Sequence, residues 1–400
     1  MTSNEEAAHP FARLPEDWRT WMVARRQPAY RGDQVFEWLH ARGVCEPAAM
    51  TNLPAPLRRE LEGEGLAPPA TIVHVHRSHD GSRKLLVEIA GASRVETVLL
   101  PVVPNQGDDD AGFDDDAGFD DDDEPPDGAG TGTAGPTSGA PMTRVSQCIS
   151  TQVGCAMGCV FCASGIAGLK RHMTAAEIVS QVWLGRRNLE SGEALRNLVF
   201  MGMGEPLHNY DATVRAIRIL THPRGLALAP RRITVSTSGL VPEMRRFGED
   251  LGGKVGLAIS LHQADDAKRS QLMPINQRYP LRELMDAVRR YPLDRRRKVT
   301  IEYTLVAGQN DSPEDARRLG RLLAGMRVLV NLIPMNPIEH SPLGPPASPR
   351  VTEFQEALKR AGLLCFVRRR RGDDVAAACG QLVLEGERPN ARFLSRQQRG

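Results

Sequence analysis

Three cysteines fall within eight residues, Cys155, Cys159 and Cys162, in the run Gly154-Cys155-Ala156-Met157-Gly158-Cys159-Val160-Phe161-Cys162. Thiolates are soft ligands, suited to zinc or to an iron–sulfur cluster. The count separates the two. A structural zinc or an electron-transfer cluster wants four protein ligands, and C-x3-C-x2-C offers three. One iron of a [4Fe–4S] cluster held this way keeps a corner open for a substrate or cofactor. The competing reading makes the three positions, spaced i, i+4 and i+7, the buried stripe of a helix. Gly154, Gly158, Gly165 and Gly168 argue against it, because a glycine in a helix interior costs about 0.8–1 kcal/mol relative to alanine. A glycine-rich loop wrapped around a cluster fits better.

The elements around this loop must hold it. From Arg144 onward, strand-like runs (Val145–Val153, Asn197–Met201, Arg232–Val235, Val255–Ser260, Val299–Leu305, Leu329–Ile333, Leu364–Arg368) alternate with amphipathic stretches (Ala175–Trp183, Ala212–Leu220, Leu281–Tyr291, Pro313–Leu323, Val351–Ala361). Such alternation predicts an α/β fold, a parallel sheet covered by helices. Six or seven strands in this length fit an incomplete (β/α)6 barrel, with function at the carboxyl ends of the strands. Upstream, residues 1–70 read as a small helical accessory domain, with Asp33–His40 and Pro54–Glu62 as its clearest segments. Residues 71–103 read as a short β-rich linker around an Asp80-Gly81 turn. Residues 142–385 would form the barrel and 386–400 a tail.

Composition bounds the rest. The chain has 400 residues, 41% hydrophobic and 25% charged, a globular profile. No apolar run is long enough to span a membrane, and the acidic start Met1–Glu6 lacks a secretory apolar core, so a cytoplasmic, non-membrane protein is expected. The net charge of +2 hides two opposed regions. Residues 108–127 hold eleven Asp and one Glu with no Lys or Arg, leaving +14 on the remainder. A body that basic is compatible with a nucleic-acid partner. Within 104–141 an Ala-Gly-Phe-Asp-Asp-Asp unit occurs twice, followed by Gly, Pro, Thr and Ser. That composition reads as a disordered insert.

Beyond C-x3-C-x2-C with an aromatic before its last cysteine, a radical S-adenosylmethionine signature, several segments narrow the resemblance. They are Gln147–Cys155, Met201–Pro206, Ser236–Gly239, Ser260–His262, Met273–Asn276 and Gly372–Leu382. In that order they resemble the RlmN/Cfr family of radical-SAM RNA adenosine methyltransferases, from about Pro28 to Leu382, interrupted by the acidic insert. The resemblance implies a radical-SAM barrel, a [4Fe–4S] cluster on Cys155, Cys159 and Cys162, and two S-adenosylmethionine molecules per turnover. It places Gly204 and Glu205 at the cofactor's amino group, with Ser236, Ser260, Leu261, His262 and Asn336 around the rest.

It also implies that Cys379 carries the methyl group, that Cys148 releases the product through a transient disulfide, and that Glu96 takes the ring proton. Without the resemblance, Cys379 would read as a small buried core residue and Glu96 as a solvent-facing strand residue. Cys45 and Cys365 match no functional position and read as packing residues. The run Arg368–Arg371 precedes the Cys379 loop, where RNA phosphates would pass.

The expected partners are 23S rRNA, tRNA and a flavodoxin- or ferredoxin-type reductant, with the chain acting as a monomer. The expected reaction is methylation of adenine carbon 2. Two alternatives stand beside it: a Cfr-like carbon-8 methyltransferase conferring antibiotic resistance, and a non-enzymatic iron–sulfur RNA-binding or electron-transfer protein.

Overall fold

The computed structural model describes residues 9–102, 142–294, 297–338, 341–368 and 370–382. The acidic segment 104–141 and the tail 386–400 lie outside the described residues.

Three helices open the chain: α1 (Pro15–Ala24), α2 (Tyr30–Phe36) and α3 (Ala55–Glu62). Proline in the first turn favours the start of α1 and α3. The turn Glu37–Ala41 prolongs α2 as a π-helix. These elements bury Trp18, Met22, Phe36, Leu39, Leu57 and Leu61 against one another and the barrel. Phe11 stacks edge-on against Trp183 at 6.4 Å, and Arg186 Nη1 donates to His40 O at 3.2 Å.

One ten-stranded sheet organises the rest. Its antiparallel part is β1 (Ala70–Arg77), β2 (Arg83–Ile89) and β3 (Ser93–Pro101), and β3 pairs antiparallel with β4 (Thr143–Cys148). From β4 the sheet is parallel through β7 (Glu193–Phe200), β8 (Ile233–Thr237), β9 (Gly256–Ser260), β10 (Val299–Leu305), β11 (Val328–Pro334) and the short β12 (Cys365–Val367). A separate two-stranded pair, β5 (Gln152–Val153) with β6 (Arg171–His172), flanks the cysteine loop. The segment expected as a linker over 71–103 thus forms, through β1 to β3 as far as Pro101, an integral edge of the barrel sheet; residue 103 lies outside the described residues. Ladder hydrogen bonds between Val98–Pro101 and Val145–Cys148 make that join.

The helices are α4 (Ala163–Ala167), α5 (Ala175–Arg187), α6 (Tyr210–Thr221), α7 (Val241–Leu251), α8 (Asp266–Leu272), α9 (Leu281–Arg290), α10 (Pro313–Leu323) and α11 (Ser348–Arg360). Capping boxes start two of them. Thr174 and Glu177 exchange hydrogen bonds at the head of α5, as Ser312 and Asp315 do at the head of α10. Apolar strand residues (Leu198, Ile233, Val235, Leu257, Ile259, Val299, Ile301, Val330, Leu332) are buried between sheet and helices. That is why the parallel strands read as near-continuous apolar runs. No helix among the described residues is long and apolar enough to cross a membrane.

Candidate active site at the carboxyl ends of the strands

Residues at the carboxyl-terminal ends of β7, β8, β9, β10 and β11, or just beyond them, converge with the cysteine loop on one cavity of about 900 Å³, counting its open mouth. Cys155, Cys159, Cys162, Gly204, Glu205, Ser236, Ser260, His262, Asn336, Arg368 and Cys379 all line it. Of the residues expected at the site, Leu261, Glu96 and Cys148 do not reach its wall. Leu261 is wholly buried and contributes backbone hydrogen bonds, accepting from Arg269 Nε at 3.0 Å.

The cysteine loop is a tight non-helical wrap. Gly154 has φ +74°, and a Cβ there would sit 1.8 Å from Gly168 O, so only glycine lets the two backbones touch. Cys162 caps the short α4. Burial raises the pKa of all three thiols; repulsion from the neighbouring cluster cysteines adds to the shift at Cys155 and Cys159, and Cys379 adds to it at Cys162. Three such thiolates need a cationic centre to ionise. Among the described residues no three Cys, His, Asp or Glu side chains group closely enough to hold one ion. Zinc would need every sulfur about 2.3 Å from a single point, whereas a cubane gives each thiolate its own iron. The donor set fits the cluster.

Glu205 is buried, with Oε2 accepting from Ser238 N (2.7 Å) and Ser238 Oγ (2.8 Å) and Oε1 from Leu207 N (3.1 Å). Burial raises its pKa, and the Ser238 hydrogen bonds oppose that. Gly204, at φ +104°, presses on Gln152, whose backbone N would lie 2.8 Å from any Cβ. Gln152 Oε1 in turn accepts from Glu205 N at 2.9 Å. Ser236 and Ser260 share a hydrogen bond between hydroxyls at 3.3 Å.

His262 adopts φ +55°, a left-handed conformation that costs a side-chain-bearing residue roughly 1–2 kcal/mol. Two hydrogen bonds hold it there: Nδ1 accepts from Thr304 N (2.8 Å) and its carbonyl from Asn310 Nδ2 (2.6 Å). Burial, with Arg269 adding, lowers its pKa to about 3, so the ring is neutral and carries its proton on Nε2.

Cys379 enters from the far end of the chain, and a dense set of contacts seats its loop. Asn336 Nδ2 donates to Cys379 O (3.0 Å) and Ala163 N to Gly380 O (2.8 Å). Asp80 Oδ2 accepts from Gly372 N (2.9 Å), and Ser78 Oγ donates to Asp374 Oδ1 (2.5 Å). Asn336 Oδ1 is buried without a hydrogen-bond partner, an acceptor left for a bound ligand.

Glu96 and Cys148 flank this loop from the sheet. Glu96, buried on β3, pairs with Lys84 Nζ at 2.9 Å, and the same ammonium donates to Ala376 O at 3.3 Å. Glu96 is therefore interior rather than solvent-facing. Cys148 is a free, buried thiol; burial, with the nearby Cys379 adding, pushes its pKa up to about 12. Cys45 and Cys365 pack in the apolar core.

Of the basic run, Arg369 lies outside the described residues, and the other three are engaged by backbone carbonyls or the cavity. Arg370 donates to Met335 O at 3.1 Å, Arg371 donates to Pro101 O, and Arg368 lines the cavity. Sequence reasoning missed Lys84 and Arg269, because nothing in a single sequence distinguishes a buried cation from a solvated one.

Two family models match the chain, one for the radical SAM superfamily over residues 149–320 and one for a ribosomal RNA large subunit methyltransferase N-terminal domain over residues 15–65. A dual-specificity RNA methyltransferase RlmN from Sorangium cellulosum is 62% identical over 389 residues, covering 96% of this chain and 97% of the relative. One of the same name from Syntrophobacter fumaroxidans is 40% identical, covering 93% and 96%. The crystal structure of a radical SAM methyltransferase from Sphaerobacter thermophilus superposes with a TM-score of 0.79 at 39% identity, covering 93% of this chain and 98% of that one. The chain belongs to the RlmN family of radical-SAM RNA methyltransferases.

Proposed function

We propose that this enzyme methylates carbon 2 of adenine in 23S rRNA and in tRNA, using a methyl group carried on Cys379. The observation that carries this reading is the seating of the Cys379 loop on the same cavity that the three cluster cysteines line. A cysteine brought across 217 residues of chain to face a three-thiolate site is not explained by electron transfer or by packing.

A [4Fe–4S] cluster on Cys155, Cys159 and Cys162 supplies, when bound, the electron that splits S-adenosylmethionine. The chain's own residues do the rest. Glu205, Ser236, Ser260, His262 and Asn336 orient S-adenosylmethionine, with the neutral His262 offering a donor at Nε2 and Asn336 an acceptor at Oδ1. Cys379 accepts a methyl group from one S-adenosylmethionine, and a second provides the radical that activates it, two per turnover. Adenine carbon 2 is electron-poor and has no acidic proton, so a carbon radical reaches it where polar transfer cannot. Glu96, in hydrogen-bonding contact with Lys84, removes the ring proton. As Cys148 bonds to the Cys379 sulfur, the sulfur–carbon bond to the methylene breaks, a proton completes the methyl group, and the one electron left over from the radical addition passes to the external redox partner; the disulfide that remains must be reopened by a reductant. The base must be unstacked to enter. A flavodoxin- or ferredoxin-type donor, a cytoplasmic site and a monomeric state complete the reading.

The RlmN name of these relatives favours carbon 2 over carbon 8. Nucleoside mass spectrometry of rRNA and tRNA treated with the anaerobically reconstituted enzyme tests the choice. The expected product is 2-methyladenosine. Either 8-methyladenosine or unchanged adenosine refutes it.

A further inference from the structure

Arg269, on α8, is wholly buried. Every group it touches is neutral. Nε donates to Leu261 O (3.0 Å), Nη1 to Asn276 Oδ1 (2.9 Å), and Nη2 to Ser238 O (2.9 Å) and Ser260 O (3.1 Å). Among the described residues no carboxylate lies within ion-pair distance of it. Asp266, on the same helix, is engaged by the Asn276 amide and the Leu281 N–H instead. A buried cation whose hydrogen bonds all go to neutral groups is expensive; Asp266 favours the charge from the same helix but forms no ion pair with it.

The geometry shows what faces it. Ser238 and Ser260, whose carbonyls take Nη2, line the cavity shared with the cluster cysteines. Leu272 O, at the end of the same helix, accepts from Val160 N inside the cysteine loop at 3.1 Å. Arg269 and Cys159 lie within electrostatic reach, the cation favouring the thiolate. Three thiolates around a [4Fe–4S]2+ core leave a net charge of about −1, and one electron makes it about −2.

We propose that Arg269 is the fixed counter-charge of the cluster, placed behind the cavity wall on the Cys159 side to favour the reduced state. A positive charge stabilises the more negative member of the couple more, so it raises the reduction potential. The external donor provides the single electron, and no proton or bond changes hands at Arg269. It is a positioning and electrostatic residue, not a catalytic one. The inference rests on the cluster alone and is independent of the roles given to Cys379, Cys148 and Glu96.

Two variants separate charge from shape. Arg269→Lys keeps the cation but loses part of the hydrogen-bond fork, whereas Arg269→Gln loses the cation. Iron content and the cluster midpoint, followed by electron paramagnetic resonance during a reductive titration without S-adenosylmethionine, are the readouts. The Gln variant should show at least a tenfold lower reduced-to-oxidised ratio at a fixed potential, a 59 mV drop for a one-electron couple. The Lys variant should stay close to the parent. A Gln variant that loses its cluster while the Lys variant keeps it also supports the assignment. An unchanged midpoint in the Gln variant, equal shifts in both, or loss of the cluster from both overturns it.

Discussion

Lys84 touches both the proposed proton acceptor, Glu96, and the loop of the proposed methyl carrier, at Ala376 O. Replacing it with methionine leaves the Glu96 carboxylate buried without its cation, so proton removal should slow. General-base contributions are commonly 10²–10⁴-fold; a fall in kcat of at least tenfold with little change in KM is expected from steady-state assays, with Lys84→Arg retaining more activity. The two thiols of the carrier pair should also differ in reactivity. Cys379 is only partly buried and lines the cavity, while Cys148 is buried with its pKa raised to about 12. Its thiolate fraction therefore grows about tenfold per pH unit up to that value. Iodoacetamide mapped by peptide mass spectrometry should label Cys379 first, with Cys148 labelling rising steeply with pH. The cysteine loop was legible in the sequence because its ligands and glycines are consecutive. Lys84 and Arg269 were not, because their burial is decided by partners far along the chain.

At the scale of elements, the turn between β1 and β2 acts as a clasp on the carrier loop. Asp80 and Ser78 hold Gly372 and Asp374, and Lys84 and Glu96 meet because β2 and β3 put them diagonally on one face, with Lys84 opposite Val98. Asp80→Ala removes one of these ties, a loss of about 1 kcal/mol by ordinary hydrogen-bond values. Amide hydrogen exchange should then quicken over residues 372–382 while β7 to β10 stay protected. Equal protection in both proteins would deny the clasp. The alternation of strand and helix announced the barrel, and the strands sit where the apolar runs put them. Helix α7 carries Gly248 inside its apolar pattern, a poor helix former that the packing requires because Pro292 Cδ would lie 2.8 Å from a Cβ there. The edge strands read as a linker because a short antiparallel run carries no mark of which sheet it joins.

Across the whole molecule, the N-terminal helices and the barrel share one apolar core, and two histidines are buried, His40 within it and His262 at the cavity wall. His40 packs against Phe11 and Phe36, and His262 against Phe161. Burial lowers both to about 3. The unfolded chain binds these protons near pH 6.5 and the folded chain does not. Stability from this source is full above pH 6.5 and is lost progressively as the pH falls towards 3. At pH 5 each histidine should cost about 2 kcal/mol. Urea unfolding of the apo-protein should show a lower midpoint at pH 5 than at pH 7.5, and His40→Phe should lessen the difference.

The family fixes a radical route to RNA methylation, in which the transferred carbon is proposed to pass through Cys379 as a methylene. S-adenosylmethionine bearing a CD3 group reveals that passage when the methylated adenosine is weighed by mass spectrometry. A hydrogen atom removed from the carrier methyl leaves two deuterium atoms in the product, and Cys379→Ala should yield no product at all. Three deuterium atoms, or full activity without Cys379, would rule out a methylene carried on that cysteine.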